Sequence, residues 1–239
     1  MPQRYFSQSP LADDRALLAG PEAHHLLHVM RAGPGDRVVL FDGSGAEFDA
    51  VVERPRRNEV ELRLTARREV NRELPIEITL GVALPKGERQ RWLVEKTVEL
   101  GVRRLVPLMT ERSVAQPVEQ AVERLRRTVI EASKQCGRNR LMEIGPAQGL
   151  ADYVAAAHPG SLRLLAHPPP HPESDPAQTP PPNRGAYLAV GPEGGFTDHE
   201  VAAAAAAGWQ FVDLGPRTLR VETAALVLVT LAASRSDSP

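Results

Sequence analysis

Two stretches near the C-terminus decide how the second half of the chain folds: residues 187–200, YLAVGPEGGFTDHE, and residues 214–225, LGPRTLRVETAA. In each stretch a strand-like apolar run comes directly before a turn rich in Gly and Pro, and a helix follows. The pattern predicts two backbone loops that converge beside each other. Converging loops of this kind can hold a small ligand.

The first of these loops carries clear signals for the start and end of a helix. Thr197 precedes Glu200 by the spacing of a capping box, the alanine run that follows favours helix, and Gly208 is placed to end it. Gly194 and Gly195 permit positive φ. The glycines match neither a dinucleotide fingerprint nor a Walker loop, so a phosphate cradle is not predicted. A plain strand-to-helix turn remains the alternative.

Composition places the chain among ordinary globular proteins. Its 239 residues are 42% hydrophobic and 25% charged, enough for one large or two ordinary domains. The most apolar stretch, 224–233, is too short for a membrane span, and the N-terminal MPQRYFSQSP lacks the apolar segment of a signal peptide. We therefore expect a cytoplasmic protein. The single Cys136 excludes an internal disulfide framework.

Charge is distributed unevenly along the chain. Residues 86–140 contain 13 basic and seven acidic side chains, and residues 141–239 contain five and ten. The positive middle could attract a phosphate backbone, although charge alone favours a solvated helix face. The cations that we predict to bind RNA are Arg4, Arg31, Lys86, Arg89, Arg91, Arg112, Lys134, Arg138 and Arg140.

The first 70 residues are predicted to form a small β-rich domain with one helix. The helix is expected at 21–31, and strands at 38–41, 46–53 and 59–66. His24, His25 and His28 lie close together in the helix. No acidic residue or Cys completes a metal site there, so a packing or RNA-facing role is preferred and no metal is predicted.

After a linker at 70–75, the pattern alternates between strands and helices. Strands are expected at 76–84, 104–108, near 143, 162–166, 187–190 and 210–214, with helices at 88–100, 117–135, 150–157, from about 197, and at 223–234. This alternation predicts an α/β domain with a mostly parallel sheet, whose strand-end loops form the site. Residues 168–182 include eight prolines and are expected to form a surface loop.

Two groups of residues carry possible chemistry. Cys136 lies between Lys134 and Arg138, which would favour its thiolate, but a Cys at a helix end is more often a packing residue. Arg217, Arg220 and Glu222 form the second group. They could be an ion pair at a helix entrance, or they could offer a guanidinium to a base or phosphate and a carboxylate for proton transfer.

Five stretches together resemble the RsmE family of ribosomal RNA methyltransferases, in the family's order and over nearly the whole chain. They are FDGSGAEFDA at 41–50, PKGERQRWLVEKTVELGV at 85–102, KQCGRNR at 134–140, GPEGGFTDHE at 191–200 and LGPRTLRVETAA at 214–225. The resemblance implies an N-terminal PUA-like β-barrel (1–70) and a C-terminal SPOUT α/β domain (74–239) with a deep trefoil knot. It also implies a homodimer that transfers methyl from S-adenosyl-L-methionine to N3 of a uridine in 16S rRNA or the small ribosomal subunit.

The resemblance further implies which residues form the site. It implies that Arg220 and Glu222 are the catalytic residues. The cofactor would be held, largely by backbone and apolar contacts, by Leu165, Ala166, His167, Val190, Gly191, Pro192, Glu193, Gly194, Gly195, Leu214, Gly215, Thr218, Leu219, Arg220, Thr223 and Ala224. The proline-rich stretch after His167 departs from the family pattern. Two alternatives stay open, a non-catalytic RNA-binding ribosome assembly factor and a related SPOUT enzyme that modifies transfer RNA.

Overall fold

The computed structural model describes residues 3–113, 119–169 and 185–236. The start of the predicted helix at 117–135 and most of the proline-rich stretch lie outside these described residues. The chain separates into two compact units, Met1–Glu73 with Ile130–Leu141, and Leu74–Val129 with Met142–Pro239. The domain assignment of 1–70 and 74–239 stays a prediction, since compactness does not establish which segments fold independently.

The first unit contains one five-stranded sheet in the order β1-β3-β4-β5-β2. Strand β1 pairs in parallel with β3, and the other pairs are antiparallel. Its elements are β1 (Arg4–Phe6), β2 (Arg15–Ala19), α1 (Gly20–His24) with a π-helical turn (His25–Val29), β3 (Arg37–Phe41), β4 (Ala46–Pro55) and β5 (Glu59–Glu69). Strands β3, β4 and β5 lie where alternating apolar residues predict them. The short β1 and the edge strand β2 gave too little periodicity to be recognised.

The second unit is built on a sheet whose strands follow the order β12-β10-β11-β6-β7-β8, all paired in parallel, with β9 paired to β7. The prediction of a parallel α/β domain is confirmed. Its strands are β6 (Ile78–Val82), β7 (Arg104–Met109), β8 (Glu143–Ile144), β9 (Gln148–Gly149), β10 (Leu162–Ala166), β11 (Ala186–Val190) and β12 (Gln210–Val212). Its helices are α2 (Glu88–Glu99), α4 (Leu150–Ala155), α5 (Asp198–Ala206) and α6 (Val221–Ser236), while α3 (Glu119–Cys136) ends within the first unit.

The start of α5 shows how local sequence positions the loop after β11. Thr197 is the N-cap, its Oγ1 accepts from the backbone N–H of Glu200, and a Glu200 side-chain oxygen accepts from the N–H of Thr197 at 2.8 Å. The predicted capping box is therefore confirmed. Gly208, with φ of +75°, follows the C-terminal end as predicted. Because the capping box fixes the first residue of α5, the loop between β11 and α5 has a defined end point at Thr197.

A buried tyrosine fixes the middle of the parallel sheet. The Tyr153 hydroxyl lies 2.9 Å from the carbonyl oxygen of Leu188 in β11 and 3.1 Å from that of Thr79 in β6. Burial raises the pKa of this hydroxyl well above its usual range, so it stays a donor. A Cβ at Gly81 would lie 2.6 Å from the Tyr153 ring, so only glycine fits there. The contact holds β6 to β11, the strand whose following loop lines the candidate site.

No helix within the described parts of the chain is long and apolar enough to cross a membrane. The trefoil knot stays a prediction.

Candidate active site

Three parallel strands end side by side at the candidate site. Strands β12, β10 and β11 are neighbours, so the loops that follow them leave the same edge of the sheet. These loops enclose a cavity of about 540 Å³. That volume is within the range of small-molecule sites, roughly 300–1,000 Å³. The sequence prediction that the loops at 191–195 and 214–220 converge is thus matched by a real cavity between them.

Glycines allow the loop backbone to form the wall of this cavity. Gly195 has φ of +69° and Gly215 has φ of +99°, conformations that favour glycine. A Cβ at Gly191 would lie 3.1 Å from the Phe196 ring, which itself lines the cavity. The N–H of Gly215 donates to Asp213 Oδ1 at 2.8 Å and closes the second loop on itself. The result is a wall with much exposed backbone and with the apolar side chains of Val190, Phe196 and Leu214, which suits a ligand that contains a flat ring.

Most of the predicted cofactor-binding residues line the cavity. They are Ala166, His167, Val190, Gly191, Pro192, Glu193, Gly194, Gly195, Leu214, Gly215, Thr218, Leu219 and Ala224. Three others do not. Leu165 is fully buried in the core of the second unit, and Thr223 is exposed on α6. Arg220 is also exposed, although Leu219 and Val221 on either side of it line the cavity.

Sequence reasoning missed seven lining residues, Pro168, Phe196, Val212, Asp213, Pro216, Arg217 and Val221. Phe196 and Val212 are almost fully buried, and an apolar residue that borders a cavity has the same sequence pattern as one inside the core. Asp213 belongs to a turn whose glycine and proline were recognised, but that signal pointed to the turn and not to the side chain. Arg217 was recognised as a possible partner for a base or phosphate, but not as a residue that lines the cofactor cavity.

Arg112 supports the loop after β11. Its guanidinium donates to the carbonyl oxygens of Gly194 at 2.7 Å and Phe196 at 3.2 Å. The neighbouring Glu111 N–H donates to Glu200 Oε1 at 3.0 Å, next to the helix cap. The segment after β7 therefore holds two points of the cavity wall. Arg112, which was predicted to bind RNA, contacts the cofactor loop in this structure.

Glu222 is the most unusual charged residue near the cavity. It is only 6% exposed, and its Oε2 has no hydrogen-bond partner among the described residues. Arg89 Nη1 lies 3.9 Å from this oxygen and 3.2 Å from Glu193 Oε1. Burying a carboxylate without full hydrogen bonding is costly, which is why such groups mark functional sites more often than exposed ones do. The cation beside Glu222 is Arg89, and Arg220 makes no ion pair within the described ranges.

Three of the cations predicted to bind RNA are held in ion pairs inside the first unit. Arg4 donates to Glu47 at 2.7 Å and to Asn139 Oδ1 at 2.6 Å, and Lys134 Nζ lies 2.8 Å from Glu22. Arg138 is 3% exposed and donates to Glu73 at 3.1 Å. In this conformation these three side chains are not available to phosphates. The exposed members of the predicted set are Arg31, Lys86, Arg91, Arg112 and Arg140.

Cys136 and the histidine group lie apart from this chemistry. Cys136 is a half-buried free thiol and does not line the cavity. The rings of His24 and His28 are 4.8 Å apart and tilted, which is a packing contact. Among the described residues, no group of three or more His, Cys, Asp or Glu side chains is arranged to hold a metal ion.

Comparison with known proteins identifies the family. Residues 72–233 match the model of an RNA methyltransferase domain, and residues 18–65 match that of an RNA methyltransferase PUA domain. The chain is 34% identical over 222 residues to ribosomal RNA small subunit methyltransferase E of Synechocystis sp., covering 88% of this chain and 70% of the relative. The chain belongs to the ribosomal RNA small subunit methyltransferase E family. The Bacillus subtilis member is 28% identical, with 87% and 86% of the two chains covered.

Two solved methyltransferase structures have the same fold. A methyltransferase from Legionella pneumophila, in complex with the bound cofactor S-adenosyl-L-methionine, is 30% identical and superposes with a TM-score of 0.89 over 98% of both chains. Methyltransferase E of Neisseria gonorrhoeae, bound to S-adenosyl-L-methionine, is 28% identical with the same score and coverage. The predictions of the RsmE family, of the PUA-like and SPOUT-class fold, of a methyltransferase and of its cofactor are confirmed.

Proposed function

We propose that this enzyme transfers a methyl group from S-adenosyl-L-methionine to N3 of a uridine in 16S rRNA. Membership in the family gives the coarser activity, methylation of small-subunit rRNA with this cofactor. The observation that carries the finer proposal is Glu222, a carboxylate beside the cavity with a buried oxygen that accepts no hydrogen bond from the described residues. N3 of uridine carries a proton at neutral pH, so its methylation needs an acceptor for that proton.

The residues of the cavity suit the cofactor. Gly195 and Gly215 let the loop backbone approach a ligand, and Val190, Leu214 and Leu219 provide apolar contacts for an adenine ring. When bound there, S-adenosyl-L-methionine supplies an electrophilic methyl carbon on a positively charged sulfur. The loops need to bind and orient this group and to keep water away from it. No phosphate-binding signature is required, in agreement with the sequence of the loop.

Proton transfer can then be assigned to Glu222. Its Oε2 accepts the proton as the N3–H bond breaks, and the freed electron pair on N3 forms the new N–C bond. The C–S bond breaks with its electron pair remaining on sulfur, so charge and atoms balance without a covalent enzyme adduct. The carboxyl proton is later lost to water. Positioning N3, the methyl carbon and the sulfur in line is the remaining requirement.

Arg220 has a different role in this proposal. Its side chain is exposed at the start of α6, between two residues that line the cavity. From there it orients the uridine by donating to a carbonyl oxygen of the base. The variant Arg220→Ala should lose single-turnover rate while cofactor affinity is retained. Full single-turnover rate in this variant would exclude the role.

The target uridine must be unpaired or turned out of its helix, because a Watson–Crick pair occupies N3. Exposed cations such as Arg31 and Arg140 would contact flanking phosphates.

The proposal also includes a homodimer. Trp92 of α2 and Leu231 of α6 are large, exposed apolar residues on helices that contact each other, and a partner subunit could cover them.

Mass mapping of methylated nucleosides tests the proposal. Purified protein with S-adenosyl-L-methionine is incubated separately with 16S rRNA, small subunits and transfer RNA, and we expect 3-methyluridine from the ribosomal substrates alone. Methylation confined to transfer RNA, or at another atom, would contradict it.

The variant Cys136→Ala tests whether the reaction proceeds without a covalent adduct between the base and this thiol. It should keep its activity, whereas a folded, cofactor-binding but inactive variant would require a covalent role for the thiol.

A further inference from the structure

A second cavity shares a wall with the cofactor cavity. It has a volume of about 170 Å³ and is lined by residues 83–85 after β6, by Lys86 and Arg89 at the start of α2, and by Ser113 after β7. Pro192 and Glu193 line both cavities. Strands β11, β6 and β7 are parallel neighbours, so both cavities lie at the edge of the sheet where these strands end.

The size of the second cavity limits its occupant. Its volume of about 170 Å³ is below the roughly 300–1,000 Å³ of sites that take drug-sized ligands. A single flat ring of pyrimidine size suits this space. The apolar residues 83–85 offer one face for such a ring to pack against.

The polar groups of the cavity match uracil better than other bases. Lys86 and Arg89 are cations, Ser113 adds a hydroxyl, and the carboxylate of Glu193 is paired with Arg89 at 3.2 Å. Uracil has a carbonyl acceptor on each side of N3, and loss of the N3 proton spreads negative charge over both of these oxygens. Cytosine has an amino donor in place of one carbonyl, which a neighbouring cation would disfavour. The cations therefore favour uracil and also its deprotonated form.

The position of Arg89 links this cavity to the proposed proton acceptor. Its Nη1 lies 3.2 Å from Glu193 Oε1 and 3.9 Å from Glu222 Oε2. Two carboxylates on different elements thus hold the guanidinium against the cavity wall. A half-buried arginine fixed in this way is poorly placed to follow an RNA backbone, and it is well placed to face a base beside Glu222.

We propose that the second cavity holds the target uracil ring, with Lys86 and Arg89 facing its carbonyl oxygens and stabilising the charge that develops when N3 loses its proton. This inference rests on the proposed function, because it supplies the acceptor base for the same reaction. Lys86 and Arg89 then act on the base itself and not on the phosphate backbone.

The pH dependence of single-turnover methylation tests the role of the cations. In Lys86→Met, we expect the rising limb of the rate profile to move to higher pH and the rate at neutral pH to fall about 10- to 100-fold. A 16S transcript made with 5-fluorouridine, whose N3–H is more acidic, should restore much of that loss. Lys96→Met is the matched control, because Lys96 lies on α2, the helix that begins two residues after Lys86, and pairs with Glu95 and Glu99. Identical profiles for the two variants would overturn the inference.

Photo-crosslinking tests the location without turnover. A 16S transcript that contains 4-thiouridine is irradiated with the cofactor-bound protein, and crosslinked peptides are mapped by mass spectrometry. We expect crosslinks within 83–91 or at Ser113, and crosslinks confined to 1–73 or 214–220 would overturn the inference. Failure of the proposed function is distinguishable, since it would appear as wild-type protein that forms no 3-methyluridine. Formation of 3-methyluridine without these crosslinks would refute the second cavity alone.

Discussion

Two buried carboxylates, one in each unit, have opposite surroundings. Glu47 in the first unit is 3% exposed and has Arg4 at 2.7 Å, Arg72 at 3.0 Å and Arg68 at 3.3 Å. Glu222 in the second unit is 6% exposed, with one cation at 3.9 Å and an oxygen without a hydrogen bond in the described structure. A fully paired carboxylate stabilises a fold, whereas an incompletely paired one is available for chemistry. Substitutions at the two positions should therefore affect different properties.

The largest effect is expected for Glu222→Gln. The amide keeps the shape of the side chain but cannot accept the N3 proton, so the single-turnover rate should fall about 10²- to 10⁴-fold. Thermal stability and cofactor affinity, measured by calorimetry, should change little. A variant that keeps the rate but loses stability would make Glu222 a structural residue like Glu47 and remove the contrast between them.

Glu47→Gln should show the reverse pattern. Removing the charge leaves the half-buried Arg4 and the exposed Arg72 without their buried partner, and the free energy of unfolding should fall by about 3 kcal/mol. The methylation rate per folded molecule should be unchanged. Denaturant unfolding and single-turnover kinetics on the same samples separate the two outcomes, and a loss of rate without a loss of stability would contradict the prediction.

The pH dependence of the free energy of unfolding tests whether the charge of Glu47 is what stabilises the first unit. Burial opposes ionisation of Glu47, but hydrogen bonds from Arg4 and Arg72 outweigh it and hold the pKa of this carboxyl below its usual range. A lowered folded-state pKa contributes stability above the unfolded-state pKa of about 4.3, and that stability is lost as the pH falls through the folded-state value. The difference between wild type and Glu47→Gln should be full at pH 7 and should shrink in acid. A difference that stays constant with pH would exclude the charge as its cause.

A smaller effect is expected for Arg112→Met. Loss of the donors to Gly194 and Phe196 should loosen the loop and weaken cofactor binding about 10-fold, equivalent to about 1.4 kcal/mol. Arg124→Met, which removes an exposed arginine of α3, is the matched control for the change in net charge. Titration calorimetry with S-adenosyl-L-methionine measures both variants. Equal affinities would show that the loop holds its shape without Arg112.

The smallest effect is expected at the exposed cations. Arg140→Met should weaken RNA binding about equally for all sequences and should reduce the slope of log affinity against log salt by about one. Arg138→Met should leave that slope unchanged, because Arg138 is already neutralised by Glu73. Filter binding across a salt series measures both slopes. Equal reductions in the two variants would show that Arg138 leaves its ion pair when RNA binds.

Local signals in the sequence were sufficient for much of the fold and for the position of the cavity. The capping box at Thr197 and Glu200 and the positive φ angles of Gly195 and Gly215 depend on bonds and backbone angles within a few residues, whereas Gly194 does not adopt the positive φ expected of it. Such features depend on neighbouring residues and are therefore readable along the chain. The parallel sheet followed from the alternation of strands and helices for the same reason.

The roles of the charged residues could not be predicted in the same way. Lys134 pairs with Glu22 across 112 positions, and Arg138 pairs with Glu73 across 65. A count of charges along 86–140 identifies an excess of cations but not the carboxylates that neutralise them in space. The ion pair between Arg89 and Glu222 is equally long-range. Sequence alone therefore assigned to RNA several arginines that hold loops and ion pairs in the structure.

The loop residues Pro192 and Glu193, which border both cavities, have a thermodynamic consequence. A ligand in either cavity would order the same short piece of backbone. The ligand that binds first would lose the corresponding conformational entropy, and the second ligand would not. Each ligand must then raise the affinity for the other by the same factor, because the coupling of two sites is reciprocal. Methyl donor and acceptor base would thus bind as a cooperative pair, and release of the used cofactor would also weaken the hold on the modified RNA.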